Sequence, residues 1–218
     1  MRNREIKRER IRRYFLDAAK ELLLSEGVAG VTAKKVGDKA AYSYGSIYNY
    51  FENQNALLCE ALEELAEDCA VYVKEQLDVL ASGGARSEPQ EPSAVELQDL
   101  IPHNIPEAER RVLVFSYLMI EYNGSNPHRY APFLSTEIDF TYFIRRDGHH
   151  FMHPAYGLLL KELEKVERFT QEKRRLIADI MVYIFHSKMH FFIRYGTPAT
   201  LAELHREVQE EVRLLLWP

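Results

Sequence analysis

The sequence predicts an all-α protein, with an N-terminal three-helix unit of helix-turn-helix plan followed by a larger helical body. Three observations predict it. Apolar residues recur at spacings of three and four along most of the 218 residues, and period-two strand patterns are scarce. Two short helical segments joined by a tight turn follow a longer helix within the first 55 residues. Gly27, the Ala81–Ser93 stretch and Gly196-Thr197-Pro198 punctuate the chain at helix spacing.

Each element has its own signal. Ile11, Phe15, Ala18, Ala19 and Leu22 form one apolar face of a first helix over 8–25, and Gly27 ends it. Thr32 caps a short helix over 33–39. Ala40-Ala41-Tyr42 makes the turn, Ser43 caps again, and a second short helix runs to Tyr50. Leu58, Leu62, Leu65, Cys69, Val73 and Leu77 step along a long helix over 53–80. A loop of linker composition follows, and then helices over 95–101, 106–123, 129–147, 154–168, 170–195 and 198–216. The expected domains are 1–53 and 54–218.

Charge is divided unevenly. Residues 1–56 hold 11 Lys and Arg against 7 Asp and Glu, whereas the remainder holds 17 against 26, and the whole chain is −5. A basic head on an acidic body suits contact with nucleic acid at one end only. Seven basic side chains fall in residues 1–13, including Arg8 and Arg10, and form an arm able to reach the minor groove or the flanking backbone.

The residues of the short helices fit the demands of base reading. Two closely crossing helices need a small residue at the contact, which Gly37 and Ala40 supply. Ser43, Tyr44, Gly45 and Ser46 present small or polar groups at the start of the second short helix, with Gly45 letting the backbone approach DNA. Ile47 and Phe51 anchor it from the inner side. Thr32, Ala33 and Lys34 form a helix N-terminus favourable for a phosphate, and Tyr48 and Asn49 can donate to others.

The run from Ala18-Ala19-Lys20-Glu21-Leu22-Leu23 through Gly27 and Val31-Thr32 to Ser43-Tyr44-Gly45-Ser46-Ile47-Tyr48-Asn49-Tyr50-Phe51 resembles the DNA-binding domain of the TetR family. The resemblance covers residues 8–60 and is architectural beyond. It implies an all-helical homodimer on a pseudo-palindromic double-stranded operator, with the last two long helices, 170–195 and 198–216, in the intersubunit bundle. It implies that Ser43, Tyr44 and Ser46 face bases and that Thr32, Tyr48 and Asn49 touch phosphates. It also implies an effector pocket in each body, hence a ligand-responsive regulator, a repressor released by its ligand, and the aromatic residues of the body make that ligand small and mostly hydrophobic. Two positions depart from the family. Ala41 stands where Gly is common in the turn, and Gln54 stands where Lys is common, which removes a phosphate charge and shifts reliance toward the basic arm.

Outside the head the residues leave alternatives open. Ten aromatics fall between Phe115 and Tyr156. The candidate effector residues are Cys69, Tyr72, Phe115, Met119, Tyr122, Phe140, Phe143, Met152 and Phe185, each equally readable as core. His149, His150 and His153 cluster, and His186 and His190 lie four apart, but no ligand set of zincin type accompanies them, so no metal is expected. The apolar stripes of the last two helices suit either a monomer core or half of a dimer interface.

No Gly-x-Ser-x-Gly, P-loop or dinucleotide fingerprint is present, so neither a cofactor nor an enzyme is expected. The rival reading is a helical ligand-binding or enzymatic body with a vestigial head. Cys59 and Cys69, about 15 Å apart if on one helix, cannot pair. No apolar run approaches a membrane span, the first residues lack the core of a secretion signal, and Asn123-Gly-Ser reads as a plain turn. A cytoplasmic protein is therefore expected.

Overall fold

The computed structural model describes residues 2–81, 100–101, 104–148 and 152–217, which contain helices and no strand. The expected loop beyond Ala81, most of the expected 95–101 helix, and His149, His150 and Phe151 lie outside the described residues. The chain forms two compact units, Met1–Ala66 with His128–Met152, and Glu67–Pro127 with His153–Pro218.

The first unit begins with α1 (Arg2–Glu26), six residues longer at its start than the apolar periodicity predicts. The basic N-terminal arm is therefore the first turns of a helix. Gly27 follows at φ +71°, a conformation that strains any residue with a Cβ, and its N–H closes on the Leu23 carbonyl at 3.0 Å. A single 3₁₀ turn (Val28–Gly30) leads to α2 (Ala33–Ala40), whose N-cap Thr32 accepts from the Lys35 N–H at 3.3 Å. The second short helix is a 3₁₀ helix, Tyr44–Asn49, instead of an α-helix. Six residues holding a glycine and a serine have little α propensity, and the segment is held by its anchors instead. The long helix α3 (Gln54–Ala81) contributes its first part to this unit and the rest to the second.

The expected single helix over 129–147 is broken. Two 3₁₀ turns (Pro127–Arg129 and Ala131–Leu134) precede a short α-helix, labelled α5 below, at Thr141–Asp147. Pro127 and Pro132 each remove a backbone donor, and Asp139 then starts the helix by accepting from the Thr141 N–H at 3.0 Å. This segment packs in the first unit's core, where Ile138, Tyr142 and Phe143 join Phe15, Leu23, Ile47, Phe51 and Leu62. Polar fastenings surround it. Asn55 exchanges two hydrogen bonds with the Asp139 backbone (2.8 and 3.0 Å), Tyr142 donates to Glu60 (2.7 Å), and Arg146 grips Glu63 bidentately.

The second unit is built on α4 (Glu107–Gly124), buried on nearly every face from Val112 onward. Packed with it are α6 (Ala155–Glu164), α7 (Gln171–Tyr195) and α8 (Leu201–Leu216). The last helix starts at Leu201, not 198, because Thr200 and Glu203 form a reciprocal capping box. A buried polar cluster ties α8 to α4. His205, with no exposed surface, lies 3.0 Å from the Glu121 carboxylate and stacks on Tyr117. Gln209 donates to Ser116 Oγ and the Leu113 carbonyl. Asn123 is likewise buried at the end of α4, donating to the Met119 carbonyl at 2.9 Å, so the sequon is not an exposed turn.

Leu204, Val208 and Val212, the stripe of α8, are buried within this unit. α7 differs. Ile177, Ala178, Met181 and Met189 face inward, while Leu176, Val182, Tyr183, Phe191 and Tyr195 are exposed. The expectation that no run approaches a membrane span is corrected here. α7 is long and apolar enough by length and composition, with a mean hydropathy of 1.3 over 18 residues of which 22% is buried.

Candidate nucleic-acid interface and effector cluster

A surface that reads bases must be rigid while spending none of its reading groups on its own fold. The 3₁₀ helix Tyr44–Asn49 meets the first condition and, apart from the Ser43–Ser46 hydroxyl pair, the second. Ile47 and Phe51 are buried beneath it, and Tyr42 and Tyr50, flanking it on either side, both pack on the Phe15 ring with centroids 5.6 Å away. Outward, Tyr44 is 64% exposed and Tyr48 51% exposed, with Ser43, Gly45 and Asn49 also exposed. Ser43 and Ser46 share a hydroxyl–hydroxyl bond of 2.7 Å. The sequence pattern marks Ile47 and Phe51 as anchors and misses Tyr42 and Tyr50, whose aromatic rings at the ends of the polar run are the available signal.

The crossing of the short helices depends on Gly37. A Cβ there would meet the Tyr42 carbonyl oxygen and the backbone of Tyr44 at 2.9 Å. A Cβ at Gly45 would meet nothing within 4 Å, so the fold itself does not require glycine there. Ala41 occupies the left-handed region at φ 59°, a conformation that costs a non-glycine residue roughly 1–2 kcal/mol.

Around this surface, Thr32 and Lys34 are exposed and Ala33 is half-buried. The Ala33 and Lys34 amides, in the first turn, have no carbonyl partner inside α2, whereas the Thr32 N–H donates to the Gly30 carbonyl at 3.1 Å. Arg8 donates to the Asn49 carbonyl at 3.3 Å, and Arg10 is exposed on α1. Gln54 does not extend outward as a lysine would. Its amide donates to the Val31 carbonyl at 2.6 Å and fastens α3 to the loop before α2.

The nine candidate effector residues separate. Phe140 and Phe143 pack with Phe133 in the first unit's core, and Met152 is 66% exposed. In the second unit, Cys69 and Met119 touch at 3.8 Å between sulfurs, and Tyr72 and Tyr122 pack at 5.0 Å between centroids. Phe115 is buried on the same face of α4 as Met119 and Tyr122, and Phe185 is half-buried on α7. Asn123, not foreseen, donates to Cys69 Sγ at 3.6 Å and places one amide among these apolar groups.

The thiols and imidazoles are accounted for locally. Burial, with the nearby Asp139 charge, pushes Cys59 up to about 11, so it stays a thiol. His153, just before the Pro154 N-cap of α6, accepts from the Ala155 N–H at 3.2 Å, and burial pushes it down to about 4, which keeps it neutral. Burial and the neighbouring His190 hold His186 below the usual imidazole range. No group of three or more potential metal ligands occurs among the described residues.

Residues 15–61 match the family model described as bacterial regulatory proteins of the tetR family. No curated protein matches the chain. Solved structures resemble it along nearly their whole length. The fatty acid degradation regulator FadR from Bacillus halodurans aligns with a TM-score of 0.61 at 15% identity, covering 92% of this chain and 93% of that one. The multidrug binding protein EbrR complexed with imidazole aligns at 0.53 and 16%, covering 92% and 93%. The TetR family repressor AlkX from Dietzia sp., implicated in biodegradation of n-alkanes, aligns at 0.51 and 19%, covering 94% and 95%. At these identities the structures establish a shared fold.

Proposed function

We propose, from the TetR-family domain that this chain carries at its N-terminus, that the protein is a DNA-binding transcriptional regulator. It works as a homodimeric repressor, released from a pseudo-palindromic operator by a small, mostly hydrophobic effector. The observation that carries the reading is the pairing of a buried underside (Ile47, Phe51) with an exposed polar face (Ser43, Tyr44, Gly45, Tyr48, Asn49) in one short element. Tyr44, Ser43 and Ser46 read bases, while Tyr48, Asn49 and the Ala33 and Lys34 amides hold phosphates.

Dimerisation is supported by α7, whose second apolar face has no cover among the described residues of its unit. Two recognition elements must lie roughly 34 Å apart to meet successive major grooves, which one chain cannot arrange. The effector reading is supported by the Cys69–Met119 and Tyr72–Tyr122 contacts with Asn123 as a polar handle. FadR and AlkX, with their fatty-acid and alkane associations, accord with a hydrophobic ligand. Such a ligand weakens operator binding only by its differential affinity for the released conformation, and α3, which enters both units, is the element that carries the difference.

The test is binding of the purified chain to DNA from its own upstream region. The reading requires a complex at low salt, two protomers per site, and release by a long-chain acyl or alkyl compound. A folded protein that binds no duplex leaves the vestigial-head alternative standing.

A further inference from the structure

We propose that Arg4, Lys7 and Arg8, in the first two turns of α1, form a clamp for the DNA phosphodiester backbone, and that the other basic side chains of α1 take no part. The proposal rests on the DNA-binding reading above and assigns one phosphate subsite within it.

The basic side chains of the head are not equivalent. Arg12 is paired with Glu9 and Glu60, Arg13 with Asp17 and Glu64, and Lys20 with Glu64. Lys35 is paired with Glu26 and Lys39 with Glu21. A cation already paired with a carboxylate must give up that pair to neutralise a phosphate, so it displaces fewer of the counterions condensed on the DNA. Among the described residues, Arg4, Lys7, Arg10 and Lys34 form no ion pair, and the one hydrogen bond of Arg8 goes to a neutral carbonyl, that of Asn49.

Geometry divides these further. Positions 4, 7, 8 and 11 share one side of an α-helix, and Arg10, at the margin of that side, is not among the residues that line the cleft there. Arg4, Lys7 and Arg8 line a cleft of about 420 Å³ with Ile11, Asn49 and Tyr50. Ile11 is buried and forms its apolar wall. Three cations converge with no carboxylate among the lining residues, so the cleft has an uncompensated positive charge beside the last residues of the recognition element. A diffuse monoanion suits it, and the phosphate next to those reached by Tyr48 and Asn49 is the one within range. The clamp also accounts for Gln54. The charge absent from the start of α3 is supplied from α1 instead.

The test is the slope of log K against log[salt] by fluorescence anisotropy on one duplex that the wild type binds. Removing one cation–phosphate interaction lowers the magnitude of the slope by about 0.9. The Arg4→Ala/Lys7→Ala double variant is expected to lower it by about 1.8, equally for specific and unrelated duplexes, with unchanged thermal stability. Arg10→Ala is expected to leave it unchanged. An unchanged slope in the double variant, or an equal drop in Arg10→Ala, overturns the clamp while the DNA reading stands. A wild type that binds no duplex at about 50 mM salt overturns both.

Discussion

The head and the body handle polar side chains in opposite ways. On the Tyr44–Asn49 element the polar groups point outward and hold little of the fold together. On α4 and α8 they point inward, where Glu121, His205, Gln209 and Asn123 are almost wholly buried. An exposed polar group can be exchanged at small cost to stability and large cost to recognition. A buried one is the reverse, because its partner is left desolvated and unpaired. The difference separates residues of function from residues of architecture, and the following variants test it from the largest expected effect to the smallest.

Glu121→Ala removes one half of a fully buried pair and leaves His205, whose Nδ1 already lacks a partner, with neither ring nitrogen satisfied. The expected cost is about 3–5 kcal/mol in denaturant unfolding. A cost near that of a surface substitution would contradict the contrast.

Acid is expected to act on the body through His153. Its folded value, about 4, lies below the ordinary 6.5, so the unfolded chain binds the extra proton between those two values. Stability from this group is complete above pH 6.5 and is lost as pH falls through 4, by up to about 3 kcal/mol. His153→Asn keeps an acceptor for the Ala155 N–H and removes the titrating ring, so it is expected to flatten that portion of the pH–stability curve relative to wild type.

Within the head, Gly37→Ala and Gly45→Ala form a matched pair. The first forces a Cβ into backbone at 2.9 Å and is expected to cost roughly 1–3 kcal/mol or more of stability. The second meets nothing, so the melting temperature should hold while DNA affinity falls about tenfold. Ala41→Gly relieves the left-handed strain at φ 59° and, after the added freedom of the unfolded chain, is expected to gain about 0.5–1 kcal/mol. Thermal melts beside anisotropy titrations separate the three.

The same contrast explains what the sequence discloses. The Thr32 cap, the Gly37 crossing and the Ile47 and Phe51 anchors are legible because each depends on neighbours within a few residues. The form of the Tyr44–Asn49 element is less so, since its 3₁₀ geometry reflects Tyr42 and Tyr50 packing on Phe15, some thirty residues away in the chain. Periodicity alone makes 129–147 one helix of the body. Its aromatic residues signal burial but not the partner, which is the head's core. Buried polar residues are the least legible. His205 and Asn123 look like surface or turn residues until Glu121 and Cys69, 84 and 54 positions distant, are brought to them.

The central claim is that the outward face of residues 43–49 reads DNA sequence. It is tested most directly by selecting duplexes from a random pool with wild type and with Tyr44→Ala, alongside their melting temperatures. The wild type should recover a two-fold-related motif. Tyr44→Ala should melt at the same temperature yet lose about 1–3 kcal/mol of discrimination at the contacted bases. Recovery of the same motif with the same preference by both proteins would contradict it.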